Sequence, residues 1–482
     1  SLVCFARSYD GDFVFDDSEA IINNKDLRAD TPLGDLWHHD FWGSRLSSNT
    51  SHKSYRPLTV LTFRINYYLS GGFHPMSFHV INILLHGGIS VLMVDVFSVL
   101  FGGLQYTSKG RRLNLAPRSS LLAALLFAVH PVHTECVAGV VGRADLLGAL
   151  FFLLSFLGYC KAFREKKGIG PRVVPFITKT IRQIFLMTLL SLSLPKKLVA
   201  AVVLGILFIN MLRCMIRSGE WRNEEQLFRS ALSVCPLNAK VHYNVGKNLA
   251  DKGNQTAAIR YYREAVRLNP KYVHAMNNLG NILKERNELQ EAEELLSLAV
   301  QIQPDFAAAW MNLGIVQNSL KRFEAAEQSY RTAIKHRRKY PDCYYNLGRL
   351  YADLNRHVDA LNAWRNATVL KPEHSLAWNN MIILLDNTGN LAQAEAVGRE
   401  ALELIPNDHS LMFSLANVLG KSQKYKESEA LFLKAIKAHP NAASYHGNLA
   451  VLYHRWGHLD LAKKHYEISL QLDPTALGTK EN

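Results

Sequence analysis

The hydrophobic and polar positions divide the chain into two unlike parts. Between residues 77 and 212, apolar residues run together over lengths that approach or reach the roughly 20 helical residues needed to cross a bilayer core. From residue 218 onward the chain is polar, charged and nearly free of such runs. The pattern predicts a membrane-embedded helical region followed by a polar region, and it excludes a soluble globular protein as a description of the whole chain.

The apolar runs predict where the chain meets the membrane. Four of them are long enough to span it, or to form part of a broken span: Phe78–Phe101, Leu121–Val129, Ala144–Tyr159 and Leu198–Leu212. The second run is broken by the polar residues that begin at His130-Pro131. A further run, Phe185–Leu194, is too short to cross alone and has basic residues on both sides, so we expect it to lie at the interface or to re-enter.

Basic residues predict the orientation of these spans. The formal net charge is +14, and part of the excess lies in the short loops 102–118 and 161–182. Basic loops stay on the cytosolic side of a membrane, which places residues 7–76, residues 130–143 and everything after residue 213 in the lumen. The positive charge therefore does not indicate a nucleic-acid partner, and no strip of interleaved aromatic and basic residues suggests one.

Composition adds two exclusions. With 48% hydrophobic and 20% charged residues, the chain is not disordered, and its mean hydropathy of -0.05 is the average of the two unlike parts. The six cysteines are scattered without a CxxC motif, so neither a disulfide framework nor a zinc or other metal site is predicted. The short apolar stretch Leu2–Ala6 is interpreted as the end of a truncated membrane segment or of a removed signal.

The polar part repeats with a period of 34 residues. Glycine recurs at one position of the repeat, small residues recur at two others, and proline closes most units; the glycines are Gly246, Gly280, Gly314 and Gly348. This is the tetratricopeptide pattern, in which two helices pack closely where small residues leave room. It predicts a half repeat at 218–238, seven repeats over 239–476 and a tail at 477–482, and hence an α-solenoid after the membrane region.

One position in the first helix of the repeats carries an asparagine in all but one unit, where it is Ser414. The asparagines are Asn244, Asn278, Asn312, Asn346, Asn380 and Asn448. A carboxamide donates and accepts hydrogen bonds at once, so such a ladder could hold the main chain of an acceptor peptide in the concave groove of a solenoid. The alternative is that these asparagines only support the helix pairs.

The predicted lumenal domain 1–76 contains a cluster of carboxylates. Asp10, Asp12, Asp16, Asp17 and Glu19 lie within eleven residues of one another, next to the first membrane boundary. Crowded carboxylates raise each other's pKa, so that one of them can act as a general base towards a hydroxyl group. A solvated acidic loop, or a helix N-cap at Asp16 or Asp17, is the alternative.

A second polar segment lies at a membrane boundary within the predicted transmembrane region 77–217. It carries His130, His133, Glu135, Arg143 and Asp145. Arginine and histidine there could bind the phosphate of a membrane-bound donor, and no metal would then be required for its departure. Alternatively, the last two residues only pair at a helix end. Six further polar residues in the first loop and just after it are weaker candidates: His52, Lys53, Tyr55, Arg56, Arg64 and Asn66.

In combination, the Asp16-Asp17 loop, the segment from His130 to Asp145 and the repeats resemble the transmembrane and tetratricopeptide-repeat proteins that O-mannosylate cadherins. The resemblance covers residues 1–163 and 196–482. It implies an all-α, polytopic membrane enzyme of the GT-C type in the endoplasmic reticulum, with lumenal repeats. Such enzymes have about ten or more spans, whereas here Gly168–Leu194 leads directly to the last span, which indicates an internally shortened and incomplete membrane region.

The resemblance further implies the reaction. Mannose would pass from dolichyl phosphate mannose, without another cofactor, to Ser or Thr of cadherin-type proteins. If the roles of the family's motifs apply to the matching positions here, either Asp16 or Asp17 would be the base. The segment from His130 to Asp145 would then face the donor phosphate. The alternative function is that of a non-catalytic adaptor, anchored in the membrane, whose repeats bind a lumenal partner.

Overall fold

The computed structural model describes residues 2–48, 51–102, 116–165 and 196–474 of the 482-residue chain. These residues form helices and loops, and the β-type pairing among them is an isolated bridge between His39 and Arg45. The predicted all-α fold is therefore confirmed. The chain divides into two compact units, Ser1–Asn248 and Leu249–Asn482.

The α-helices of the first unit include the membrane-embedded ones, and the last of them runs across the unit boundary. They are α1 (Pro57–Ser70), α2 (Pro75–Gly102), α3 (Pro117–Ala128), α4 (Thr134–Ala138), α5 (Arg143–Glu165), α6 (Lys196–Glu220), α7 (Glu224–Val234) and α8 (Ala239–Asp251). Single turns of 3-10 or π-helix lie at Ser18–Ile22, Lys25–Leu27, Leu33–Trp37, Pro131–His133 and Val140–Gly142.

Within the described ranges, three helical stretches are long and apolar enough to cross a membrane. They are Pro75–Phe101, Val140–Ala162 and Ala200–Glu220. A fourth crossing is formed if the helices Pro117–Ala128 and Pro131–Ala138, which meet at a bend of 47°, count as one broken span. Proline has no backbone N–H to continue a helix, which accounts for a break at Pro131. The first unit is thus a membrane protein's helical region.

Some predicted features fall on residues that the structure does not describe. The interfacial segment Phe185–Leu194 lies outside the described residues, as do most of the basic loops 102–118 and 161–182. The predicted bridge Gly168–Leu194 also lies outside them.

Helix α2 is the centre of the membrane-embedded packing. It packs against α3 and α5, and α4 lies between α2 and α6. The buried apolar residues of this cluster are Cys4, Phe5, Ile83, Ile89, Val96, Val137, Leu146, Leu153 and Cys214. The start of the chain and the last candidate span therefore share one core.

The first loop folds over a small core of its own. Nδ2 of Asn24 donates to the carbonyls of Ala20 and Phe41, at 3.1 Å each. The buried Asp26 carboxylate lies 2.6 Å from Nδ1 of His39. The buried apolar residues of the core beneath this loop are Ala20, Ile21, Leu27, Leu36, Phe41, Val60, Phe63, Phe78 and Val140. Because this core includes residues of α1 and α2, the loop is held against the helices.

The second unit, together with α8, repeats with a period of 34 residues. Helix A of the successive repeats begins at residues 239, 273, 307, 341, 375, 409 and 443, and helix B at 255, 289, 323, 357, 391, 425 and 459. The helices after α8 are α9 (Gln255–Leu268), α10 (Val273–Glu285), α11 (Leu289–Ile302), α12 (Ala307–Ser319), α13 (Phe323–His336), α14 (Pro341–Asp353), α15 (His357–Leu370), α16 (Ser375–Asn387), α17 (Leu391–Leu404), α18 (His409–Lys421), α19 (Tyr425–Ala438), α20 (Ala443–Trp456) and α21 (Leu459–Leu472). The predicted tetratricopeptide solenoid is confirmed as a fold.

Two local details explain irregularities in the repeat. Pro341 does not close a helix B; it is the first residue of α14, where its missing N–H costs nothing. A residue one or two positions after the end of helix A has a left-handed conformation in each repeat, with glycine at some of these positions and other residues elsewhere, for example Gly253 (φ +79°) and Lys321 (φ +63°). The turn is therefore set by the repeat rather than by glycine alone.

Close approach of the paired helices depends on the recurrent glycine. A methyl group at Gly348 would lie 2.5 Å from the indole of Trp364 in the next helix. That indole is fixed, because its Nε1 donates to the carbonyl of Tyr345 at 3.1 Å. The large side chain therefore fills the space that the glycine leaves.

We expect Gly348→Ala to destabilise the repeat unit by about 1–3 kcal/mol, because an added methyl group overpacks a fixed ring. Denaturant unfolding of the detergent-solubilised chain, followed by helical circular dichroism, measures the loss. Arg349→Ala, at the exposed neighbouring position, is the control and should change stability by less than about 0.5 kcal/mol. Equal stability of Gly348→Ala and the parent chain would contradict the packing argument.

Candidate functional site

A cavity of about 570 Å³ in the first unit brings the two predicted site segments together. Asp16 and Asp17 of the first loop line it, as do Glu135 and Asp145 of the second segment. Among the described residues that line it, Arg56 is the one that carries a positive charge. The cavity thus brings the acidic loop together with part of the second segment.

The contact between the two segments depends on the carboxylate of Asp17. This side chain is fully buried and accepts hydrogen bonds from three backbone N–H groups. Val14 N–H donates to Oδ2 at 3.2 Å. Val140 N–H donates to the same oxygen at 3.3 Å, and Val141 N–H donates to Oδ1 at 2.8 Å. Asp17 precedes the π-turn Ser18–Ile22 without capping it, so its role is to join the loops.

Arg143 holds the second segment from within the core. Its side chain is fully buried, and Nε donates to Oδ1 of Asn82 at 2.8 Å. One terminal nitrogen donates to Oδ1 of Asn66 at 3.0 Å and to the carbonyl of Phe78 at 2.9 Å, and the other donates to the carbonyl of Thr62 at 3.4 Å. With its guanidinium bonded in this way and absent from the cavity wall, Arg143 does not have the donor-phosphate position that the sequence predicts.

Asn82 continues this network towards Asp17. Its Nδ2 donates to the carbonyls of Gly139 and Val140, at 3.3 Å each. The same short stretch then offers the N–H groups of Val140 and Val141 to the Asp17 carboxylate. A single path of hydrogen bonds therefore runs from Arg143 to the acidic loop.

Glycine is required where this stretch turns back on α4. A methyl group at Gly142 would lie 2.5 Å from the Cα atom and the carbonyl oxygen of Cys136. At Gly139 it would meet the carbonyl of Glu135 at 3.0 Å and the ring of Trp221 at 3.1 Å. Backbone atoms cannot move aside as a flexible side chain can, so the segment needs glycine at position 142 in particular.

Asp16 differs from its neighbour in being exposed at the cavity. Burial of part of the side chain raises its pKa above the ordinary value, and the charge of Lys240 partly offsets that rise. The preceding residue, Phe15, has a left-handed backbone (φ +54°), which is uncommon for a residue with a bulky side chain. The loop therefore presents Asp16 from a strained turn.

The remaining residues predicted in the second segment separate into two groups. Glu135 and Asp145 are exposed at the cavity. His130 and His133 do not line it: the ring of His133 lies 4.4 Å from that of Phe127 and 5.2 Å from that of His86. The donor-phosphate position predicted for the two histidines is therefore not supported by where they lie.

Arg64 and Asn66, two of the weaker candidates, belong to the network beneath the site. Arg64 donates to the carbonyls of Asp26 at 3.1 Å and Thr31 at 2.7 Å, while Asn66 accepts from Arg143. Arg56 alone among the six weaker candidates lines the cavity.

Sequence reasoning missed Asn82, although an amide within an apolar run is a signal of a functional position. It also missed the aromatic wall formed by Phe41, Trp42 and Trp221.

The asparagine ladder makes hydrogen bonds within the repeats. Nδ2 of Asn312 donates to Oδ1 of Asn277 in the preceding repeat at 2.9 Å, and Oγ of Ser414 donates to Oδ1 of Asn379 at 2.6 Å. The amides of three further members donate to nearby groups: Asn278 to Tyr262, Asn346 to Asp342 and Asn448 to Ser444. Asn244 and Asn380 are half-buried. These contacts favour the supporting role over the peptide clamp at the bonded positions.

Known proteins are similar to both the membrane-embedded part and the repeat part of this chain. The tetratricopeptide repeat model matches residues 243–305, 298–342, 345–409 and 413–476. Protein O-mannosyl-transferase TMTC4 from Homo sapiens is 64% identical over 696 residues, covering 100% of this chain and 94% of that protein. The chain belongs to the TMTC family of protein O-mannosyl-transferases. This family consists, by name, of glycosyltransferases.

Two further matches cover parts of the chain. Protein O-mannosyl-transferase TMTC3 from Mus musculus is 52% identical over 159 residues, which is 33% of this chain and 16% of that protein. The structure titled "Functional Characterization of Pseudomonas Aeruginosa pilF" is similar with a TM-score of 0.38 and 22% identity, covering 43% of this chain and 95% of that one.

The alignment with the human protein is longer than this chain. It extends over 696 residues, whereas the chain has 482, so at least 214 alignment positions (696 less 482) have no counterpart here. That difference agrees with an internally shortened chain.

The buried Asp17 makes the stability of the chain depend on pH. Burial raises its pKa to about 6 from the ordinary 3.8, although the three N–H groups lower it in part. A raised pKa means that the folded chain binds the proton more tightly than the unfolded chain. The stabilisation is therefore complete below pH 3.8 and is lost as the pH rises through about 6, to the extent of roughly 3 kcal/mol.

We expect the parent chain to lose about 3 kcal/mol of unfolding free energy, relative to the Asp17→Asn variant, between about pH 4 and about pH 7.5. Denaturant unfolding of both proteins in detergent at the two pH values measures the difference. Asp30→Asn, which removes an exposed carboxylate from the same loop, should follow the parent. The expectation fails if Asp17→Asn shows the same pH dependence as the parent chain.

Proposed function

We propose that this chain transfers mannose from dolichyl phosphate mannose to Ser or Thr hydroxyls of cadherin-type proteins in the lumen of the endoplasmic reticulum, with Asp16 as the general base. The observation that carries the proposal is the different environment of two adjacent carboxylates. Asp17 is fully buried and bonded to three N–H groups, whereas Asp16 is exposed on the wall of the cavity. With its exposed carboxylate, Asp16 is the better placed of the two to accept a proton from an incoming hydroxyl.

The proposed reaction is a single displacement with inversion at the sugar. The acceptor hydroxyl gives its proton to the Asp16 carboxylate while its oxygen bonds to the anomeric carbon of mannose. The bond from that carbon to the phosphate oxygen breaks, and dolichyl phosphate leaves with the bonding electrons. The raised pKa of Asp16 makes it a stronger base than an ordinary carboxylate.

The leaving phosphate needs a cation, and Arg56 is the best placed. Its guanidinium carbon lies 5.0 Å from the ring centre of Phe41, and it lines the cavity that Asp16 also lines. Guanidinium groups bind phosphate oxygens through paired hydrogen bonds. Glu135 and Asp145 also line the cavity and would repel the phosphate, so we propose that the phosphate lies against Arg56.

Three further features support a lipid-linked donor and a protein acceptor. Asp145 lies at the beginning of the candidate span Val140–Ala162, so the cavity adjoins the end of a membrane helix. If the basic loops lie on the cytosolic side, as the sequence predicts, that end faces the lumen. The repeats that follow are of a kind that binds extended peptides, and we propose that they hold the acceptor protein.

The shortened membrane region favours a second candidate function. At least 214 alignment positions of the human relative have no counterpart here. If they include the donor-lipid groove, the chain is a membrane-anchored adaptor whose repeats bind a lumenal partner. Mannose transfer by the human relative but not by this chain, in the same assay, would support the adaptor.

We expect Asp16→Asn to reduce mannose transfer about 10²–10⁴-fold, because the amide cannot accept the hydroxyl proton. The assay follows transfer from dolichyl phosphate mannose to a cadherin domain, with the protein in detergent or vesicles. Asp17→Asn should also lose activity, but together with a change in stability. Asp30→Asn is the control and should match the parent. Parent activity in Asp16→Asn would exclude this residue as the base.

We expect Arg56→Ala to lower kcat/KM for the donor about 10²-fold or more, because the departing phosphate loses its cation. Arg56→Lys should recover part of the loss, since lysine keeps the charge but not the paired hydrogen bonds. Arg28→Ala, exposed on the same loop and away from the cavity, is the matched control. An Arg56→Ala variant with unchanged donor kinetics would contradict the assignment.

A further inference from the structure

The acidic loop makes a group of contacts with residues 222–228, which the sequence assigns to the half repeat. Asp12 N–H donates to the carbonyl of Arg222 at 2.9 Å, and the Arg222 guanidinium pairs with the carboxylate of Asp10. Phe15 N–H donates to Oε1 of Glu224 at 3.1 Å. Since these partners are more than 200 residues apart in sequence, the loop is shaped by the start of α7.

The contacts converge on Phe15, the strained residue next to the proposed base. Its ring packs edge-on against Phe228 with centroids 5.9 Å apart, and Nζ of Lys240 lies 5.6 Å from its centre. A left-handed backbone at such a residue is strained, so it persists only where its surroundings impose it. Those surroundings are the residues of α7 and the beginning of α8.

The position of Glu224 in α7 suits its carboxylate to accept the hydrogen bond from Phe15 N–H. Asn223 caps the helix through a hydrogen bond from Gln226 N–H at 2.9 Å, which fixes Glu224 as the first helical residue. A carboxylate in the first turn of a helix is favoured by the helix dipole. From there it accepts the hydrogen bond that holds Phe15 in its strained conformation.

We propose that Glu224 is a positioning residue for the transfer reaction: by holding Phe15 in the left-handed conformation, it directs Asp16 into the cavity. The proposal rests on the proposed function, in which Asp16 is the base. It assigns a part in the reaction site to the half repeat, a segment whose sequence pattern marks it only as the beginning of the solenoid.

The test compares Glu224→Ala with Glu224→Gln and Glu225→Ala. Alanine removes the acceptor for Phe15 N–H, whereas glutamine keeps a carbonyl oxygen there. Glu225 carries the same charge in the same helical turn but pairs with Arg229 at 2.6 Å, so Glu225→Ala is the matched control. We expect Glu224→Ala to lower kcat about tenfold with KM for donor and acceptor changed less than twofold, and the other two variants to stay within about twofold of the parent.

Phe15→Gly provides a second variant, since glycine adopts the left-handed conformation without cost. If Glu224 acts through this conformation, adding Glu224→Ala to Phe15→Gly should lower kcat by less than about twofold further. An undiminished tenfold loss in that background, or parent kcat in Glu224→Ala alone, would overturn the proposal.

Amide hydrogen exchange distinguishes this proposal from the one it rests on. In Glu224→Ala, peptides covering residues 10–20 should exchange at least about tenfold faster than in the parent and in Glu225→Ala. Unchanged exchange there would overturn the positioning role regardless of activity. Absence of mannose transfer by the parent chain would instead overturn the proposed function, while faster exchange would still show that Glu224 holds the loop.

Discussion

The candidate site depends on one buried cation. Arg143 lies in the core with its guanidinium against the rings of Phe63 and Phe78, at 4.7 and 5.5 Å from their centres, and its N–H groups bonded to amides and carbonyls. A buried charge is tolerated only when it is bonded in this way. Through Asn82 this arrangement fixes the stretch that binds the Asp17 carboxylate. The cavity therefore exists because the arginine predicted to bind substrate is used to hold the protein together.

The same arrangement separates the roles of two neighbouring carboxylates. Side chains of adjacent residues in a turn point in different directions, so one acidic group can be buried while the next is exposed. The carboxylate oxygens of Asp17 accept hydrogen bonds from backbone N–H groups of both loops, whereas the Asp16 side chain is exposed at the cavity. The acidic pair in the sequence is thus one structural and one accessible group rather than two equivalent bases.

The sequence predicts the repeats well because each repeat is shaped by its own neighbours. Every helix pair packs small against large residues at a fixed spacing, as with Gly348 and Trp364, so a 34-residue period carries nearly all the information. The candidate site is different, since its contacts join residues far apart in sequence, such as Asp17 and Val141, which are 124 positions apart. Burial of Arg143 and exposure of Asp16 follow from those distant contacts, and no local pattern shows them.

The positions of the site residues along the chain determine which of them a shortened membrane region can retain. The residues that line the cavity come from 14–56, 132–145 and Trp221. The network beneath them adds residues of α1 and α2, and Glu224 adds the start of α7. All of these lie outside the stretch between residues 163 and 196 that the resemblance leaves uncovered. The described residues around Asp16 therefore all come from segments that flank the shortened stretch, and none of them depends on residues 164–195.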